Sequence, residues 1–186
     1  MGNWYTADPH FNHSAIIKFC DRPFKDVAQM DQALLHNLES CVTWDDDLYI
    51  LGDFSFGGES SRSYLQSCFD RIPDRKHLIV GNHDTKATFS LGWTSVQTLV
   101  EITDGDQKLV LCHYPMITFK DARRGALQLF GHVHKNWQGS HNTVNVGVDV
   151  WNFLPIQVAE IQRRARTLPV NKHWRDVEPD RRRSEE

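Results

Sequence analysis

The sequence has no long apolar run and no pair of cysteines of the Cys-x-x-Cys type. The first absence argues against a membrane-spanning helix, and the second argues against zinc ribbons and disulfide frameworks. The separate cysteines Cys20, Cys41, Cys68 and Cys112 suit free thiols in a reducing compartment, so we expect a cytoplasmic protein with no membrane partner. The formal net charge of −3 provides no bulk basic field for binding nucleic acid.

The composition changes near the end of the chain. A chain of 186 residues, 40% of them hydrophobic, is large enough for one domain with a substantial core. Beyond Arg163, arginines mix with acids and prolines, and apolar residues become sparse. Such a segment has little apolar surface to bury. We therefore predict one domain over residues 1–161 and a charged, partly disordered tail over residues 162–186.

Helical and extended patterns follow each other along the chain, which predicts an α/β fold. Predicted strands cover residues 3–7, 48–51, 77–80, 95–102, 108–112, 127–130, 143–146 and 156–161. The strands at 95–102 and 108–112 are expected to pair around the turn at 103–106. Predicted helices cover residues 14–20 with Ser14 as N-cap, 26–41 with Asp26 as N-cap, 60–71 and 86–91.

The stretch Gly81-Asn82-His83-Asp84 directly follows the predicted strand at 77–80. Glycine allows a sharp turn and a close approach of the backbone to a ligand. Asn82 offers a carbonyl oxygen, His83 an imidazole that can accept or release a proton, and Asp84 a carboxylate that could orient this imidazole. Taken alone, however, the tetrapeptide is explained better by a purely structural turn.

Residues of the same chemistry follow four more predicted strands. They are Asp8 and His10, Asp53, His113, and the pair His132 and His134. In α/β folds, ligand sites gather beyond the carboxyl ends of strands, so these residues can converge. Their oxygen and nitrogen ligands suit Mn, Fe, Zn, Co or Ni. The set is too large for one tetrahedral ion and fits two ions about 3.5–4 Å apart that share a carboxylate.

The ordered motifs resemble the complete signature of the calcineurin-like metallophosphoesterases. The motifs are Asp8-x-His10, Gly52-Asp53, Gly81-Asn82-His83-Asp84, His113 and Gly131-His132-x-His134. They extend over residues 8–134, and the chain is most similar to small single-domain members from bacteria and phages. The resemblance implies a four-layer α-β-β-α sandwich with two mixed β-sheets and a dinuclear metal site at the carboxyl ends of strands.

The resemblance also implies a role for each matching residue. Asp8, His10 and His134 would hold the first ion, Asn82, His113 and His132 the second, and Asp53 would bridge them. The expected ions are two divalent transition metals, manganese first, with Fe, Zn, Ni or Co as alternatives.

The predicted activity is hydrolysis of phosphate mono- or diesters, with a small phosphate ester or nucleotide as substrate. A hydroxide bridging the two ions would attack phosphorus. The ions, Asn82 and His83 would stabilise charge on the phosphoryl oxygens. His83 would protonate the leaving group as general acid, and Asp84 would hold its imidazole.

Other functions stay open at this point. A metal-dependent nuclease on DNA or RNA is the second enzymatic alternative, supported by the basic tail but not by the net charge. A non-catalytic metal-binding scaffold is the alternative from another class, since folds do not determine functions. The sequence does not determine the substrate, the preference for mono- or diesters, or the oligomeric state.

Several neighbours of the motifs have two possible roles. His13 could meet the substrate phosphate or be a surface histidine at the start of a helix. Arg22 lies in a rigid segment before Pro23, which favours a structural role over contact with the substrate. Tyr114 is expected to be a packed aromatic rather than part of the pocket lining. The segment from Asn145 to Asp149 favours a structural turn, with support of a metal ligand as the alternative. Cys112 would point away from His113 and is excluded as a ligand.

Overall fold

Two β-sheets form the centre of the fold, and helices flank them. The structure is a computed structural model that describes residues 2–73 and 75–178. The strands are β1 (Asn3–Thr6), β2 (Asp47–Ile50), β3 (Lys76–Ile79), β4 (Ser95–Gln97), β5 (Leu99–Asp104), β6 (Gln107–Cys112), β7 (Leu127–Phe130), β8 (Gly139–Ser140) and β9 (Thr143–Asn145). The α-helices are α1 (Ser14–Phe19), α2 (Val27–Cys41), α3 (Arg62–Arg71), α4 (Lys86–Phe89), α5 (Val158–Ala165) and α6 (Lys172–Val177).

The first sheet has the order β1-β2-β3-β4 with parallel pairing throughout, and Ile156 adds a single antiparallel bridge to Tyr5 of β1. The second sheet has the order β5-β6-β7-β9-β8 and is mixed, because its two outer pairs are antiparallel and its central pairs are parallel. The prediction of an α/β sandwich with two sheets and flanking helices is confirmed.

Alternation of side chains along the strands builds two core layers. Leu48 and Ile50 of β2 pack with residues of α2 and α3. Leu51, just beyond β2, faces the other way and packs with Leu109 and Leu129 of the second sheet. One apolar layer therefore joins the first sheet to its helices, and the other joins the two sheets to each other.

Helix α2 confirms the predicted cap. The Asp26 carboxylate accepts a hydrogen bond from the Gln29 N–H at 2.8 Å, and Met30, Leu34 and Leu38 form its buried face. Ser14 does not cap α1, because His13 occupies the N-cap position and Ser14 is the first helical residue.

One strand prediction was wrong, and another was right only in part. The predicted pairing around the turn at 103–106 is confirmed for β5 and β6. The extended run at 95–102 belongs to two sheets: β4 pairs with β3, and β5 pairs with β6. An extended pattern in the sequence does not indicate where the chain leaves one sheet and enters the other. The run at 156–161 is a bridge at Ile156 followed by α5, where Gln157 and Glu160 form a capping box. The short strand β8 was not predicted.

The predicted domain boundary at residue 161 lies inside α5. Ala165 is buried, and Leu168 packs against the same apolar cluster. In α6, the Trp174 ring lies 5.2 Å from the ring of His141. Ordered structure thus continues into the segment assigned to the tail, whose part from residue 179 onward lies outside the described residues. None of the helices that the structure describes is long and apolar enough to cross a membrane.

Candidate metal centre

The loops after β1, β2, β3, β6 and β7 bring all the predicted metal ligands to one edge of the sandwich. Five of these ligands have a left-handed backbone, with φ between 49° and 69°: Asp8, His10, Asp53, His132 and His134. Residues other than glycine rarely adopt this conformation, and each instance costs about 1–3 kcal/mol. Such strain concentrates at functional sites, and here it occurs at five of the predicted ligands.

Glycines allow these loops to approach each other closely. A Cβ atom at Gly81 would lie 2.3 Å from Asp53 Oδ1, and one at Gly131 would lie 2.5 Å from Asp8 Oδ2. Neither contact is sterically possible, so both positions require glycine. The glycine of the 81–84 turn therefore accommodates the Asp53 carboxylate.

Asp8, His10 and His134, which we call the first triad, place one ligand atom each within 4.8 Å of one another. His10 Nε2 is buried and has no hydrogen-bond partner among the described residues. The Asp8 carboxylate accepts a hydrogen bond from the His132 N–H, and burial raises its pKa to about 7. Burial lowers the pKa of His10. A buried carboxyl beside an unpartnered imidazole nitrogen fits a bound cation, which would compensate both desolvation costs.

Asn82, His113 and His132 form the second triad. Asn82 Oδ1 lies 3.1 Å from His113 Nε2 and 2.9 Å from His132 Nδ1. Burial lowers the pKa of His113, which favours the neutral imidazole that binds metals. The donor set of an amide oxygen and imidazole nitrogens fits a divalent transition metal.

Asp53 lies between the triads. Its Oδ2 atom is 3.6 Å from His10 Nε2 and 3.5 Å from His113 Nε2. Both distances are longer than good hydrogen bonds. Its other oxygen, Oδ1, accepts a hydrogen bond from the His83 N–H at 2.8 Å. One oxygen of Asp53 is thus directed toward both triads, as the predicted bridging role requires.

Three of the histidines are oriented through their second ring nitrogen. His113 Nδ1 lies 2.7 Å from the Leu51 carbonyl oxygen, His10 Nδ1 lies 3.2 Å from His13 Nδ1, and His134 Nδ1 lies 2.8 Å from Asp149 Oδ2. Metal-ligating histidines typically have such partners, which fix the tautomer and the ring orientation.

Asp149 and Arg22 support the first triad from outside. The Arg22 guanidinium is buried and donates to both Asp149 oxygens, at 2.8 and 3.0 Å, and to the carbonyls of Asp8 and Pro9. Burial lowers the pKa of His134, but its hydrogen bonds to Asp149 and Cys20 and the charge of Asp8 outweigh this effect and raise the pKa to about 10. Burial opposes ionisation of Asp149, yet the hydrogen bonds from His134 and Arg22 lower its pKa overall. Arg22 is thus a structural residue, and Asp149 supports a predicted ligand.

Asp84 does not hold the His83 imidazole, contrary to the prediction. Its carboxylate accepts hydrogen bonds from the N–H groups of Gly81, Asp53 and Phe54, at 2.8 to 3.0 Å. Burial raises its pKa. Asp84 therefore joins the loop after β3 to the loop after β2 and positions Asp53. His83 itself is exposed, with its ring 5.4 Å from the ring of His10.

Two further side chains belong to this region. Cys20 is buried at the end of α1, and its thiol lies within 4.8 Å of ligand atoms of His134 and Asp149. No sequence motif marks this cysteine, so its place beside the first triad could not be predicted. Tyr114 is 44% exposed, and its ring lies 4.8 Å from the His132 ring, so it lines the site rather than packing in the core.

Comparisons with known proteins support the fold without naming an activity. No family model matches the chain. An uncharacterized protein of Methanocaldococcus jannaschii is 27% identical over 159 residues, which cover 82% of this chain and 84% of that protein. The gene 66 protein of Mycobacterium phage L5 is 26% identical over 183 residues, which cover 81% of this chain and 88% of that protein.

Among solved structures, a protein of unknown function from Aquifex aeolicus superposes with a TM-score of 0.70 at 24% identity. The match covers 87% of this chain and 97% of that one. YfcE, a phosphoesterase from E. coli, matches at a TM-score of 0.41 and 15% identity over 79% of this chain and 78% of that one. The likeness to the Aquifex protein shows that this fold occurs in a solved structure, and the likeness to YfcE is too low to carry an argument.

Proposed function

We propose that this protein is a metal-dependent phosphoesterase that binds two divalent transition-metal ions and hydrolyses phosphate mono- or diesters. The observation that carries the proposal is the position of Asp53 Oδ2, which lies 3.6 Å from His10 and 3.5 Å from His113. A single carboxylate oxygen between two sets of ligands is the arrangement that two adjacent cations need. The order of the sequence motifs supports the same reaction class.

The ligand chemistry supports manganese, iron, zinc, nickel or cobalt. Asp8, Asp53 and Asn82 offer oxygen atoms, and the four histidines offer imidazole nitrogens. When bound, the two ions would activate a water molecule and neutralise charge on the phosphoryl oxygens. The chain's own contribution is to hold the ligands in fixed orientations through Asp149, His13 and Asp84.

His83 is the proposed general acid. Its backbone N–H is fixed by Asp53 Oδ1 at 2.8 Å, while its ring extends to the exposed side of the first triad. An imidazole there could donate a proton from a ring nitrogen to the leaving oxygen of an ester. Since Asp84 is committed to backbone N–H groups, the ring would be oriented by its neighbours His10 and Phe56.

A matrix of metals and substrates tests the proposal. Purified protein is stripped with chelator, restored with Mn, Fe, Co, Ni, Zn or Mg, and assayed on p-nitrophenyl phosphate and bis-p-nitrophenyl phosphate. We expect turnover that depends on the added metal and is absent in Asp53→Ala, with the preferred compound distinguishing mono- from diesterase. Two bound ions per chain without turnover under any condition would instead support a non-catalytic scaffold.

A further inference from the structure

A cavity of about 690 Å³ opens directly beside the first triad. At one end it is lined by His10, His134 and His83, which places this end at the proposed reacting centre. Its other walls come from α1 and the residues beside it, from Phe56 in the loop after β2, and from Lys135 and Asn136 in the loop after β7. Pockets of this size accommodate small organic ligands. A phosphate group at the histidine end would leave space for a second, non-phosphate part of the same substrate.

Two phenylalanines and nearby apolar side chains form one part of the cavity lining, which we call the aromatic wall. The rest of the lining is polar and includes Asn12, Ser14, Lys135 and Asn136. Phe19 is 74% exposed and Phe56 is 44% exposed, and both line the cavity together with Ile16 and Ala15. Single exposed apolar residues need no explanation, but two exposed phenylalanines on one cavity beside a polar site indicate a binding surface.

One phenylalanine of the aromatic wall, Phe56, is held in place before any ligand binds. The Phe56 ring stacks on the ring of His13, with centroids 4.0 Å apart and an angle of 11° between the planes. The backbone of Phe56 is fixed on both sides, since its N–H donates to the Phe11 carbonyl at 2.9 Å and its carbonyl accepts from Asn12 Nδ2 at 3.2 Å. A preorganised surface of this kind loses little entropy on binding a flat ring.

We propose that the substrate carries a planar aromatic group of nucleobase size, which binds against Phe19 and Phe56 while its phosphate lies at the two triads. This inference rests on the proposed phosphoesterase function and adds the part of the substrate that the metal centre does not determine. Stacking of a base on an aromatic side chain strengthens binding about five- to hundred-fold. Phe19 and Phe56 are therefore residues that determine specificity rather than catalytic residues.

The first experiment compares two ligands that differ only in the aromatic group. Adenosine 5′-monophosphate and ribose 5-phosphate share the sugar and the phosphate ester. Each is used as a competitor of p-nitrophenyl phosphate turnover in the metal-loaded enzyme, or of bis-p-nitrophenyl phosphate if diesters are preferred. We expect an inhibition constant about tenfold or more lower for the nucleotide.

Substitutions in the wall test whether this preference arises there. Phe19→Ala should bring the two inhibition constants to within about threefold of each other, mainly by weakening the nucleotide, while Phe19→Tyr should retain the preference. Phe56→Ala should act in the same direction. Phe89→Ala is the matched control, because Phe89 is 40% exposed on α4 and does not line this cavity.

A second readout does not depend on turnover. Calorimetry of the metal-loaded protein should detect binding of adenosine, and this binding should weaken in Phe19→Ala but not in Phe89→Ala. Equal inhibition constants for the two competitors, with no effect of either wall substitution, would overturn the inference and leave the phosphoesterase proposal intact. Absence of turnover with every metal and substrate would overturn the phosphoesterase proposal itself.

Discussion

The two triads of the candidate metal centre are supported in different ways. In the first triad, ring orientation depends on side chains: His134 contacts Asp149, and His10 contacts His13. In the second triad, His113 contacts a backbone carbonyl, and Asn82 lies within hydrogen-bond distance of both histidines. A backbone partner persists when side chains change, whereas a side-chain partner can be removed by one substitution. The first triad should therefore be the more vulnerable to mutations outside the ligand set.

The charge environment differs as well. The first triad contains the ionisable side chains of Asp8 and His134, and Asp149 beside it pairs with both Arg22 and His134. Arg22 and Asp149 are 127 positions apart in the sequence and join the segment between α1 and α2 to the turn after β9. Buried charges of this kind contribute orientation rather than net stability, because their desolvation cost offsets much of their attraction. The difference between the triads can be tested by substitutions that act on both, on neither or on one.

The largest effect is expected from Asp53→Ala, which removes the carboxylate shared by both triads. Loss of an outer partner of a metal ligand lowers metal affinity by up to about hundred-fold, and loss of Asp53 should lower the affinity for both ions by more than this. Turnover should fall to background. Metal content after dialysis and the rate with saturating metal measure the two effects. Asp53→Asn serves as the near-isosteric control that can still accept from the His83 N–H. Retention of two ions by Asp53→Ala would contradict the bridging role.

His83 belongs to neither triad, so His83→Gln should lower the catalytic rate without changing metal binding. Loss of a general acid lowers kcat by about 10²- to 10⁴-fold, while the number of bound ions should stay at the wild-type value. Stopped assays with an ester of a poor leaving group, together with elemental analysis, provide the measurement. His36→Gln, an exposed histidine of α2, is the control. An unchanged kcat would remove His83 from the mechanism.

Asp149→Asn should weaken the first triad selectively. The substitution keeps the shape but loses the charge that orients His134, so affinity for one ion should fall about 10- to 100-fold while the other is retained. Calorimetric titration of metal into stripped protein would then show two separated binding steps. Asp70→Asn on the exposed side of α3 is the matched surface control. Equal weakening of both ions would show that the two triads do not have independent supports.

The smallest effect concerns the loop that carries Asp8 and His10. The buried Asp31 carboxyl accepts hydrogen bonds from the Asn12 N–H at 3.0 Å and from Tyr64 at 2.7 Å, and burial raises its pKa to about 6. A pKa above the unfolded value means that protonated Asp31 stabilises the fold. This contribution is complete below about pH 4 and is lost as the pH rises through 6.

Between pH 5 and 7.5 the wild type should lose about 1 kcal/mol of unfolding free energy relative to Asp31→Asn. Urea denaturation of chelator-treated protein at both pH values measures this difference. A parallel pH dependence in wild type and Asp31→Asn would exclude Asp31 as the titrating group.

Much of the fold could be predicted because local sequence patterns indicate it. Buried strands such as β2 and β3, and the capped helix α2, combine apolar periodicity with clear stop and start signals. The errors occurred where local pattern and long-range pairing disagree. The run at 95–102 has an extended pattern, but it is divided between two sheets because β4 pairs with β3 and β5 pairs with β6. At 156–161, the β-branched residues favoured the prediction of a strand, although the capping box of Gln157 and Glu160 begins α5 there.

The candidate site shows the same division between local and long-range information. The types of the candidate ligands and their order along the chain were determined by the sequence alone, since each motif is a short run of residues after a strand. The tertiary structure decided which groups support them: Asp84 binds three backbone N–H groups instead of His83, Cys20 lies near His134, and Arg22 pairs with Asp149. The aromatic cavity beside the first triad likewise combines α1 with the loop after β2. The physical reason is that residue chemistry and periodicity are local properties of a chain, whereas contacts between loops of two packed sheets exist only once those sheets have formed.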